Sequence, residues 1–213
     1  MEIRVSWDKF VELRSGAIRV DLGEGYCLAN GEMNPSIFIR MLNVVKQRGL
    51  VQEIWEQFAS PESAARFRRL TFGSTVKLQS WGMTGDTHDA WGYYVRDSTM
   101  EWPMPSYPCG MGAVLMHPPY FGSSVMSENS VDLSALKDKE EYKRRLWAAF
   151  RMASKVLQVG GLVCAVGRRY RFGGEEVELD RWMLELAEAV GFEIEEVWSS
   201  CPDVVLVLRW GKK

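Results

Sequence analysis

Hydrophobic and polar positions fall into clear alternating patterns from Gly112 onward. "GAVLMH" (112–117) is a short, continuously apolar run, as expected of a strand buried on both faces. "KEEYKRRLWAAFRMASKVLQ" (139–158) spaces Tyr142, Leu146, Ala149, Phe150, Ala153 and Leu157 three and four apart with charges between them, which predicts an amphipathic helix stopped by the following "VGG". "LVCAVG" (162–167) is a second apolar strand. "ELDRWMLELAEAVG" (178–191) is a second helix, with Asp180 as its cap and Gly191 as its terminator. "FEIEEVW" (192–198) and "DVVLVLRW" (203–210) are strands joined by a turn around Pro202. Strand, helix, strand, helix and a closing strand pair predict an α/β sheet, mostly parallel and ending in an antiparallel pair.

The upstream pattern is less regular. "NPSIFIRMLNVVKQRG" (34–49) has proline near the start and glycine at the end of a helical stretch, and "SPESAARFRRL" (60–70) reads as a capped helix. "AIRVDL" (17–22), "STVKLQSWG" (74–82) and "WGYYVRD" (91–97) are strand candidates, and 99–112 is a loop rich in proline and glycine. No linker divides the chain. The expectation is one domain over residues 1–213, with 1–70 a less regular N-terminal appendage.

Composition narrows the function classes. The 213 residues are 46% hydrophobic and 25% charged, with a formal net charge of -2. Such a balance creates no global basic field, so a polyanion would have to meet a local patch. Cys27, Cys109, Cys164 and Cys201 lie far apart without CxxC spacing, which suits reduced thiols in the cytoplasm better than a zinc site. No apolar run approaches a membrane span, and no signal-peptide layout opens the chain. His88 sits between Asp86 and Asp89 in a glycine-rich stretch and is read as part of a polar turn, not as a metal ligand.

The strongest chemical signal is His117-Pro118-Pro119-Tyr120, followed by Phe121, at the end of the "GAVLMH" strand. Ligands of open α/β sheets bind beyond the carboxyl ends of the strands. Two prolines hold the neighbouring carbonyls and side chains in one arrangement. Hydrogen-bond acceptors beside an aromatic face suit a planar heterocycle with an exocyclic amine.

HPPY in this setting resembles the [D/N/S/H]-P-P-[Y/F/W] motif of the nucleic-acid methyltransferases that act on amino groups. Several further stretches support the resemblance. "SVDLSALKDKEEYKRRLWAAFRMASKVLQVGG" (130–161) is similar to that family's segment ending "RVLKPGG". "AEAVGFEIEEVW" (187–198) is similar to its next helix and strand, and "VRDSTMEW" (95–102) to the segment before the motif. The likeness covers roughly residues 94–210. It implies a Rossmann-like fold, S-adenosylmethionine as cofactor, and methylation of adenine N6 or cytosine N4 in DNA, with RNA or a small molecule as other acceptors. His117, Pro118, Pro119 and Tyr120 would form the base-amine site, with Phe121 beside it at the nucleic acid.

The family's cofactor loop, "DPFxGSGTT", has no full counterpart here. The nearest string, "LTFGSTV" (70–76), makes Phe72, Gly73 and Ser74 the cofactor candidates, with Asp97 as the carboxylate. "VDLGEG" (20–25) is an alternative glycine pair. Of the basic clusters "RFRR" (66–69), "KRRLWAAFR" (143–151) and "RRYR" (168–171), the last follows a strand at the ligand edge. Arg168, Arg169 and Arg171 are therefore the phosphate-contacting candidates. A non-enzymatic alternative is a degenerate methyltransferase-like protein that binds nucleic acid. Association with a second copy or a partner subunit is also an expectation.

Overall fold

A computed structural model describes residues 35–50, 54–59, 79–82, 110–122, 133–200 and 202–211. Helix α1 (Pro35–Gln47) is followed by β1 (Ile54–Ala59), β2 (Gln79–Gly82) and β3 (Met111–Met116). Helix α2 (Lys139–Val156) leads into β4 (Leu157–Phe172), which turns back through β5 (Glu175–Glu178). Helix α3 (Leu179–Val190), β6 (Phe192–Ser200) and β7 (Asp203–Trp210) complete the described elements. The expected strands at 17–22 and 91–97 and the expected helix at 60–70 lie outside the described residues.

The strand order is β2-β1-β3-β4-β7-β6, with β5 paired to β4 away from that path. β1 runs parallel to β2 and β3, and β3 parallel to β4. β7 inserts antiparallel between β4 and β6. The mixed sheet with its C-terminal antiparallel pair is the fold class expected.

Side-chain alternation explains why the central strands read as unbroken apolar runs. Val114, Met116, Val163, Ala165, Leu206 and Leu208 join one core cluster with residues of α2 and α3. Ala113, Leu115, Leu162, Cys164, Val166, Val205 and Val207 join a second cluster with α1. Successive side chains point to opposite faces and both faces are covered, so no polar position interrupts the strand.

The helix ends show where local signals held. Asp138 caps α2, its side chain accepting from the backbone N–H groups of Glu140 at 2.9 Å and Glu141 at 3.5 Å. This helix closes at an extended Leu157, before the expected "VGG" stop. Gly160 and Gly161 instead lie in β4, where the register against β3 shifts between Met111 and Ala113. Gly191 terminates α3 in the left-handed conformation, as expected. Asp180 does not cap α3. Glu178 holds the cap position without a side-chain capping bond to the helix, and the Asp180 carboxylate is taken by Arg169 at 3.1 Å.

β1 was not anticipated from the pattern, because Glu56 and Gln57 interrupt "IWEQFA". Gln57 is buried at 1% exposure, and its amide donates to the Ala149 carbonyl of α2 at 3.2 Å. A polar side chain is tolerated inside when a partner meets it. That partner lies 92 residues away in the chain.

Candidate active site at the carboxyl edge of the sheet

The parallel strands β1, β3 and β4 end on one edge, and antiparallel β7 begins there. Arg168 near the end of the sheet-paired part of β4 sits opposite Asp203, the first residue of β7. His117–Tyr120 leaves β3 at the same edge, and the β4–β5 hairpin rises beside it.

Two tyrosine hydroxyls brace the turn from opposite directions. Tyr142 of α2 donates to the Pro119 carbonyl at 2.8 Å, and Tyr170 of β4 donates to the Phe121 carbonyl at 2.8 Å. Burial raises the pKa of both phenols, so they remain donors at neutral pH. Neither tyrosine was among the residues expected to serve the site. Tyr142 carries a core-periodicity signal that conceals its polar end.

Gly122 allows the turn to close. It has φ +67°, and a Cβ there would stand 2.4 Å from the Phe172 ring. Only glycine satisfies both the left-handed backbone and the close approach.

Tyr120 is half-buried at the centre of the group. Its ring lies 5.6 Å from that of Tyr170 at an interplanar angle of 22°, a stacked pair. The His117 ring meets it edge-on at 5.4 Å. The Arg168 guanidinium stands 5.3 Å from the Tyr120 centroid. Tyr120 Oη donates to Asp203 Oδ1 at 3.2 Å and is 3.2 Å from His117 Nε2. Desolvation first, and the Asp203 charge second, hold the Tyr120 pKa well above the phenol range.

Phe121 requires a correction. Its ring is 6% exposed and belongs to the core, edge-on to Tyr142, Phe172 and Trp182 at 5.4, 5.6 and 6.4 Å. It therefore presents no face to a nucleic acid, and its contribution is to seat the turn.

The arginines also differ from expectation. Arg168 bonds Asp203 through Nε at 2.8 Å, with a second guanidinium nitrogen at 2.7 Å. Arg169 pairs with Asp180 at 3.1 Å and Glu178 at 3.5 Å. Across the hairpin, Arg169 faces Glu178 and Arg171 faces Glu176. Arg169 and Arg171 thus lie opposite Glu178 and Glu176, while Arg168 is held by Asp203. The cluster that reads as basic along the chain is locally compensated in three dimensions.

Phe72, Gly73, Ser74 and Asp97 lie outside the described residues. Among the described residues, no three His, Cys, Asp or Glu side chains gather as a metal site. No described helix is long and apolar enough to cross a membrane.

No protein-family model and no curated protein matches the chain. Solved structures do match in shape. TrmN from Thermus thermophilus superposes with a TM-score of 0.54 at 17% identity, covering 84% of this chain. The chain spans half the length of that protein. The 1,6-didemethyltoxoflavin-N1-methyltransferase of Burkholderia thailandensis, solved with 1,6-didemethyltoxoflavin and S-adenosylhomocysteine, gives 0.53 at 9% identity, covering 84% of this chain and 79% of its own. A methyltransferase from Pyrococcus furiosus gives 0.50 at 10% identity, covering 96% of this chain and 98% of its own. The fold is that of the Rossmann-like methyltransferases. At these identities the likeness concerns the fold alone. Within it, the HPPY turn occupies the end of a central strand, at the edge where such sheets receive ligands.

Proposed function

We propose that this protein is an S-adenosylmethionine-dependent methyltransferase whose acceptor is the exocyclic amine of a nucleic-acid base, adenine N6 or cytosine N4 in DNA. The observation that carries the reading is the HPPY turn, held at the carboxyl end of β3 by Tyr142 and Tyr170 with His117, Tyr120 and Asp203 in contact. A scaffold has no need of acceptors and an aromatic ring fixed together at a ligand edge.

The described end of β1 bears on the cofactor. Phe58 stands there at φ +62°, the one non-glycine residue with positive φ among the described residues, and the register with β2 shifts between Gln57 and Ala59. Such a reversal costs about 1–3 kcal/mol in a non-glycine residue. It lies at the described carboxyl end of β1. The sequence there is Glu56-Gln57-Phe58-Ala59-Ser60-Pro61-Glu62-Ser63, which keeps the phenylalanine of "DPFxGSGTT" and neither glycine. In this proposal the end of β1 at Phe58 borders the cofactor, with Phe72, Gly73, Ser74 and Asp97 as the further cofactor-binding candidates. The missing glycines favour weak affinity for S-adenosylmethionine.

The cofactor, when bound, supplies a methyl group on an electrophilic sulfonium. The protein's part is to orient the amine and accept its protons. An exocyclic amine is a poor nucleophile because its lone pair is delocalised into the ring. Hydrogen bonds from its N–H groups to His117 and the Pro118 carbonyl favour the pyramidal geometry that can attack, through orientation and charge stabilisation. Tyr120 supplies the aromatic wall. Its existing stack on Tyr170 must admit the base or shift when the base enters.

A second reading has its own support: the compensated arginines of the hairpin suit a small planar heterocycle better than a polyanion. One experiment separates the two. Calorimetric titration with S-adenosylmethionine is followed by transfer of labelled methyl to unmethylated DNA, to RNA and to free nucleobases. Label in DNA supports the main reading, and label only in small heterocycles supports the second. Cofactor binding without transfer to any of them would remove both.

A further inference from the structure

The contacts around Tyr120 restrict where one proton can lie. Its hydroxyl oxygen stands 3.2 Å from Asp203 Oδ1 and 3.2 Å from His117 Nε2, and it has a single hydrogen to donate. A carboxylate only accepts. Were the hydrogen turned toward His117, lone pairs of two oxygens would face each other at 3.2 Å. Asp203 is buried at 8% exposure, and its Oδ1 also receives Arg168 Nε at 2.8 Å, which holds the carboxylate in place. The Tyr120 hydrogen therefore goes to Asp203 as a charge-assisted bond. The remaining contact is a hydrogen bond only when His117 Nε2 carries a hydrogen and donates it to Tyr120 Oη.

We infer that Asp203 is a positioning residue which, through the Tyr120 hydroxyl, fixes His117 as the Nε2–H tautomer and makes Nδ1 the acceptor nitrogen of the ring. The purpose assigned to that tautomer rests on the methyl-transfer reading, in which His117 accepts a hydrogen bond from the target amine. The tautomer itself is a property of the protein alone. Asp203 is 83 residues from Tyr120 in sequence and lies on a different strand, so the relation is visible only in the folded chain.

Nitrogen NMR of the protein labelled in histidine tests the inference without cofactor or substrate. The chain has two histidines, and a His88→Gln variant assigns the resonances. The measurement is made near pH 8, above the ordinary imidazole range. We expect the Nε2–H form of His117 in roughly tenfold excess or more, the ratio that a hydrogen bond of about 1.4 kcal/mol maintains. Asp203→Asn and Tyr120→Phe should each collapse that excess. Arg168→Met, which removes the ion pair and leaves Asp203 in place, should preserve it.

A purely structural Asp203 would lower the melting temperature of Asp203→Asn and leave the tautomer ratio unchanged, which would overturn the inference. So would a dominant Nδ1–H form in the wild type, or an undiminished excess in Tyr120→Phe. If the Nε2–H excess behaves as expected while no acceptor is methylated, the role of Asp203 stands and the proposed function falls.

Discussion

Tyr142 illustrates how one side chain serves both packing and the site. Its ring is fully buried in the core, while its hydroxyl holds the Pro119 carbonyl at 2.8 Å. Tyr142→Phe keeps the packing and removes the donor. We expect a loss of about 1 kcal/mol in unfolding free energy and a larger proportional loss of methyl transfer, measured by denaturant melts and labelled-cofactor assays. Equal activity in the variant would show that the turn needs no brace from α2. Gly122 is constrained more severely: Gly122→Ala places a methyl against the Phe172 ring and strains a backbone at φ +67°. The expected cost is about 1–3 kcal/mol, visible as a lowered melting temperature with greater loss of order at the hairpin than in α1. Phe121 and Gln57 show the limit of residue-level reading. Nothing in the type or spacing of an aromatic after HPPY says whether its ring faces inward. A glutamine in a strand argues against burial until its distant partner is known.

At the scale of elements, α2 combines good local signals with an electrostatic cluster. Glu141 meets Arg144 at 2.6 Å and Arg145 at 2.8 Å along the helix, and these hydrogen bonds lower its pKa from 4.5 to about 2. A carboxylate with a depressed folded pKa contributes stability above its unfolded pKa and loses it as pH falls through the folded value. The difference in melting temperature between wild type and Glu141→Gln should therefore be constant above pH 4.5 and shrink toward zero as pH falls to about 2. The difference is small throughout, because solvent screens such pairs. A gap that persists at the acid end would assign the effect to side-chain packing. The β4–β5 hairpin makes the opposite point about sequence. "RRYR" reads as a basic patch because its acidic partners lie elsewhere, Asp180 eleven residues and Asp203 thirty-five residues onward. Net charge of a segment is local in sequence, whereas field is local in space.

At the scale of the whole molecule, the retained HPPY turn and the glycine-free sequence after β1 act in opposite directions on one activity. S-adenosylmethionine should raise the melting temperature in proportion to the logarithm of its concentration once the dissociation constant is exceeded. With no glycine at residues 56–63, we expect that rise to begin at tens to hundreds of micromolar, corresponding to roughly -5 to -6 kcal/mol. Restoring glycine at Ser60 and Glu62 together should move the onset to lower concentration. No shift at saturating cofactor in either protein would leave the chain as a binding subunit.

The sequence by itself determined the elements whose signals are local: β3, α1, α2, α3 and the β6–β7 pair follow from apolar runs, helical spacing and terminal glycines. It also identified the HPPY turn, because proline rigidity and strand-end position act over a few residues. The tertiary structure alone decided which surfaces those elements present. It buried Phe121, paired Arg168 and Arg169 with carboxylates, and brought Tyr142, Tyr170 and Asp203 to the turn. It also made a strand of "IWEQFA". The physical reason is range. Backbone preference and periodicity are set by near neighbours, whereas burial, charge compensation and the direction of a proton depend on groups that only folding brings together.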